Sequence, residues 1–172
     1  KLLPGVNLAE GQRQIESILK RLNRPQIDNL AVHGLNRPDH LEWARAGDGA
    51  ALLNWAISSG RVVQIGFSSH GSQQLIREAI LSGRFQFCCL HLHMLDPQRL
   101  PLAELALKRG MGVLAISPAD KGGRLQDPSS TLIDDCRPIP PLQLAYRFLL
   151  AAGISTLTVG AAAPEDLNLA KQ

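Results

Sequence analysis

The alternation of two textures along the chain constrains its fold more than any other feature. Short β-prone runs recur at 27–33, 62–67, 85–91, 112–117 and 155–160, with helix-prone stretches between them. Runs such as VVQIGF and FQFCCLH are apolar almost throughout, as expected of strands covered on both faces of a parallel sheet. Helices are predicted at 8–22 with Asn7 as N-cap, at 49–59, at 72–82 with Gly83 as C-cap, and at 98–109 before Gly110. Two more are predicted at 141–152, stopped by Gly153, and from Pro164 onward, with Glu165 and Asp166 in the first turn. A helix followed by five strand–helix units predicts an α/β fold with right-handed crossovers. A doubly wound sheet and a (β/α)8 barrel both satisfy that order. No G-x-G-x-x-G follows a strand, which weighs against a Rossmann dinucleotide site. Polar or small residues close the strands at His33, Ser68–Ser69, His91, Ser117–Pro118 and Gly160–Ala161, which favours a barrel with its active site on that face.

Composition narrows the function classes. The 172 residues fit one domain spanning the whole chain, and 45% hydrophobic with 19% charged residues is a globular balance. The net charge of +3 comes from scattered arginines rather than a basic run, and aromatics make up only 4% of the chain. A stacking surface for nucleic acid is therefore not expected, whereas a local pocket for a small anion fits the charge. Three cysteines, two of them adjacent (Cys88, Cys89 and Cys136), indicate a reducing compartment. No stretch reads as a transmembrane helix or signal peptide, so the expected location is cytoplasmic, with no membrane partner.

The stretch FCCLHLHML gathers thiols and imidazoles, the ligands zinc prefers. Strand alternation would put Cys89, His91 and His93 on one face and turn Cys88 away. None of the three follows a C-x2-C or H-x3-H spacing. On residues alone, a small metal-binding protein centred on this face stays open.

Motifs in a fixed order carry a family resemblance. LKRLNRPQIDNLAVHG, GRVVQIGFSSHG, RGMGVLAISPADKGG and PLQLAYRFLLAAGISTLTVGAAAPEDL resemble the fourth, fifth, seventh and eighth strands of the aldo-keto reductases with adjoining helices. SPADKGGRLQDP, together with HGLNRPDHLEW, is closest to a bacterial branch often extended by a ferredoxin-like segment; no C-x2-C-x2-C cluster is present here. The resemblance implies strands 4–8 of a (β/α)8 barrel with their helices, incomplete at the N-terminus. It implies a small-molecule carbonyl substrate reduced with NADP(H), and either three further strands or a second copy to cover the open edges. His33 falls on the family's catalytic histidine, and Lys1 on the lysine that lowers the pKa of a catalytic tyrosine; that tyrosine and its aspartate would precede this chain. Cofactor contacts are implied at Ser68, Ser69, Cys89, Ser117, Pro118, Asp120, Lys121, Gly122, Gly160, Ala161 and Glu165. His91 and His93 would line the substrate space, with Trp43 reaching it from the loop after His33, and no metal ligand is implied. A partial barrel that binds a nucleotide or a protein partner without catalysis is the alternative.

Overall fold

The computed structural model describes residues 1–120, 124–161 and 163–171, the last three of these by backbone course only. Its strands are β1 (Ile27–Val32), β2 (Val62–Ser69), β3 (Phe87–His91), β4 (Gly112–Ile116) and the short β5 (Thr156–Leu157). They form a sheet in the order β1-β2-β3-β4-β5. A doubly wound sheet reverses strand order at a switch point, whereas uninterrupted succession is what a run of barrel units produces. Parallel pairing is seen between β1 and β2, with Val32 opposite Phe67, and between β4 and β5, with Leu114 opposite Thr156.

The helices are α1 (Leu8–Leu22), α2 (Pro38–Arg45), α3 (Gly47–Ser58), α4 (Gln73–Leu81), α5 (Leu100–Lys108), α6 (Ser130–Asp135), α7 (Pro141–Ala151) and α8 (Asp166–Lys171). α1 starts where Asn7 accepts the Glu10 N–H and stops where Asn23 turns left-handed, its N–H bonded to Leu19 and Lys20 carbonyls. The segment after His33, read from sequence as a loop, contains α2. Pro38 opens it and Asp39 occupies its first turn, while Leu41 and Ala44 are buried. Among the described residues, no helix is long and apolar enough to cross a membrane.

The chain packs as two compact units, one of Lys1–Cys89 with Arg109–Met111 and one of Leu90–Lys108 with Gly112–Gln172. The first buries Ile15, Val32, Leu52, Phe67, Ile76 and Ile80 completely or nearly so. Its Phe67 and Phe85 rings meet at 5.0 Å and a 56° tilt. The second is built on Ala119, Leu125, Leu142, Ala145 and Tyr146, against which Met94, Leu132 and Leu157 pack. Coverage of both strand faces is not uniform: Asp28 and Asn29 of β1 and Val63 and Gln64 of β2 are exposed, while the C-terminal halves of both strands are buried.

Candidate functional site

In the first unit, the ends of β1 and β2 carry the predicted residues. The register that pairs Val32 with Phe67 brings His33 next to Ser68. His33 is exposed and Ser68 is buried. Ser68 Oγ accepts the Gly34 N–H at 3.2 Å and lies 3.3 Å from His33 Nδ1. A hydroxyl oxygen accepts two hydrogen bonds and donates one, so Ser68 can pair with Nδ1 in either of its forms, and Nε2 is left on the far side of the ring.

Ser69 is spent differently. Its hydroxyl donates to the Leu35 carbonyl at 2.6 Å and accepts the Gly71 N–H at 3.0 Å. Asn36 adds a clamp by accepting the His70 N–H at 2.7 Å. The Ser68–Ser69 pair thus ties the loop after β1 to the end of β2, and Asn36 is a member of that network that the sequence did not single out. Its position two residues after the left-handed Gly34 is the signal that could have marked it.

Leu2 forms a parallel bridge to Val32, and its carbonyl accepts the His33 N–H at 2.7 Å. The exposed Lys1 is therefore one residue from the backbone partner of His33. Cys89 is buried, and burial raises its thiol pKa while the Lys1 ammonium opposes that rise. Cys88 is pushed up to about 12, first by burial and then by its neighbour Cys89. Trp43 is half-buried, with its indole N–H donating to the Val6 carbonyl at 2.9 Å.

In the second unit, β3 ends at His91, but Leu92 N–H still bonds the Ile116 carbonyl, so the extended alternation carries on to His93. The two rings meet edge to face with centroids 5.0 Å apart. The turn after β4 holds two non-glycine residues in left-handed conformation, Ser117 at φ 57° and Asp120 at φ 63°, closed by the Asp120 N–H on the Ser117 carbonyl. This turn brings the Asp120 carboxylate to the histidines, and one ligating atom from each of His91, His93 and Asp120 falls within 4.8 Å of the others. Asp120 Oδ1 is 3.6 Å from His93 Nε2, and the exposed Arg124 guanidinium is 3.7 Å from the other oxygen. Cys89, expected from alternation to share the histidines' face, is not part of this set. Pro118 is buried beside the turn, and Gly160, Ala161 and Glu165 are exposed, with the Gly160 carbonyl accepting from Gln126 at 2.8 Å. Lys121 and Gly122 lie outside the described residues.

No family model matches this chain, and no curated protein matches it in sequence. Solved structures do match in fold. The holo form of aldo-keto reductase AKR11C1 from Bacillus halodurans aligns at a TM-score of 0.79 with 17% identity, covering 96% of this chain and 60% of that one. Glycerol dehydrogenase AKR11B4 from Gluconobacter oxydans aligns at 0.69 with 17% identity, covering 96% and 58%. Bombyx mori aldo-keto reductase AKR2E4, solved in complex with NADP, aligns at 0.66 with 18% identity, covering 95% and 57%. This chain spans less than two thirds of each of them. Its strand order, its helices and these alignments together give the chain the aldo-keto reductase barrel fold, over part of that barrel's length.

Proposed function

We propose that this chain is part of an NADP-dependent aldo-keto reductase that converts an aldehyde or ketone to the alcohol. The observation that carries the reading is the His33 ring. Its Nδ1 lies 3.3 Å from the Ser68 hydroxyl, and among the described residues Nε2 has no hydrogen-bond partner, which leaves an exposed ring nitrogen at the end of β1 that serves as a donor when it carries a proton. Such a donor is what a carbonyl oxygen needs as negative charge builds on it. Bound NADPH would supply the hydride to the carbonyl carbon. Lys1, held next to the His33 backbone through Leu2, places a cation at the same strand ends and suits the role of lowering a neighbouring hydroxyl's pKa.

The fit to the cofactor is uneven. Ser69 is already committed to Leu35 and Gly71, so it orders the loop rather than reaching a carboxamide. The Ser117–Asp120 turn and the exposed Gly160–Ala161 backbone remain suitable for phosphate and adenosine contacts. The NADP complex of the Bombyx mori enzyme and the glycerol dehydrogenase from Gluconobacter oxydans support this class of cofactor and reaction.

The test is NADPH fluorescence titration of the purified protein, followed by a panel of aldehydes and ketones monitored by NADPH oxidation. Saturable binding and turnover are expected. No binding at high micromolar NADPH would overturn the reading.

A further inference from the structure

His93 is a buried polar side chain of the second unit with a polar atom left over. It keeps 6% of its surface exposure, and its Nδ1 has no hydrogen-bond partner among the described residues. Its Nε2 faces Asp120 Oδ1 at 3.6 Å, beyond hydrogen-bond length. When Nε2 presents its lone pair, two acceptors oppose each other across that gap, which a cation would bridge; the unmet Nδ1 lies on the other side of the ring.

A cation between Nε2 and Oδ1 turns that opposition into two bonds. Two ligands on a tetrahedral zinc, each about 2.1 Å from the metal, lie about 3.4 Å apart. The 3.6 Å separation is close to that edge and unlike a hydrogen bond. His91 supplies the third donor on the same side, its ring edge to face with His93. We propose that His91, His93 and Asp120 bind a divalent transition-metal cation of the zinc class, with its remaining coordination positions open to water or an oxygen ligand.

Two imidazoles and one carboxylate form a borderline nitrogen–oxygen donor set that suits zinc, cobalt or iron(II) better than magnesium or calcium. Arg124 competes weakly for Asp120: its side chain is 80% exposed, and its Nε stands 3.7 Å from the carboxylate. The site lies within one unit of the chain and does not depend on the reductase reading.

The experiment is metal titration of the full chain after chelator treatment, with Zn2+ measured against a chromophoric competitor and Co2+ by visible absorption. One equivalent should bind, the melting temperature should rise with Zn2+, and the cobalt spectrum should lack a thiolate charge-transfer band. Asp120→Asn keeps a side chain that tolerates the left-handed turn, and it should weaken binding at least about tenfold; His93→Ala should weaken it more. Absence of saturable binding with no thermal shift would overturn the proposal. So would a thiolate band, or equal affinity in wild type and folded Asp120→Asn.

Discussion

The molecule has two histidine clusters, and they are finished to different degrees. At the end of β1, His33 is closed by its own fold: Gly34 donates to Ser68 and Ser68 pairs with the ring's Nδ1, leaving one nitrogen outward. Around His93, the protein brings an imidazole pair and a carboxylate together but leaves a buried ring nitrogen unmet and the charged partner at 3.6 Å. The first arrangement orients a ring nitrogen outward. The second is the set proposed above to hold a metal cation. Histidines are alike in sequence, and what differs is whether neighbouring groups complete their hydrogen bonds.

The largest expected effect breaks the first cluster. Replacing His33 by Ala removes the proposed donor to the developing alkoxide and should lower kcat/KM for carbonyl reduction by about 10²–10³-fold, with NADPH affinity retained. Steady-state kinetics with the best substrate of the panel would check it.

Next is the packing that holds Ser68 in register. A Cβ at Gly66, two residues earlier in β2, would fall on the Phe87 ring. Gly66→Ala should therefore destabilise the protein by about 1–3 kcal/mol through overpacking, read as a fall in the midpoint of urea unfolding. A smaller change is expected from Ser68→Ala, which strands the Gly34 N–H and removes the hydroxyl beside His33 Nδ1 at a cost of about 1–2 kcal/mol. Its effect on kcat should exceed its effect on KM, because the hydroxyl orients the ring without meeting substrate.

The smallest effect concerns the thiols of the two units. Cys88 is raised to about 12 and Cys89 is raised by burial, whereas Cys136 is partly exposed. In the native protein at pH 8 one thiol should react quickly with a disulfide reagent, and all three after denaturation. An unfolded Cys88 ionises near 9.0 while the folded one holds its proton to about 12, so stability should decline as pH rises between those values. The decline should be shallower in Cys88→Ala.

The sequence carries the strand–helix order well because apolar runs and caps are local. α1 runs over the predicted 8–22, since Asn7 and Asn23 close its ends with their own hydrogen bonds. α2 was not legible: it has eight residues and buries only Leu41 and Ala44, too short a stripe to show periodicity. β5 shrinks to Thr156–Leu157, so Val159 and Gly160 fall outside the strand where their composition suggested it. The closeness of His33 and Ser68 follows from residues at the ends of neighbouring strands, and was readable. The approach of Asp120 to His91 and His93 was not. It depends on two non-glycine residues, Ser117 and Asp120, adopting a conformation that residue type alone does not announce.

The contrast between the closed and the open histidine cluster is tested most directly by a long-range proton–nitrogen NMR spectrum of the histidine rings during Zn2+ titration. The account predicts that the His33 nitrogens are unmoved by one equivalent of zinc, while the nitrogens of His91 and His93 shift together and saturate. Zinc shifts at His33 with His91 and His93 unchanged would contradict it.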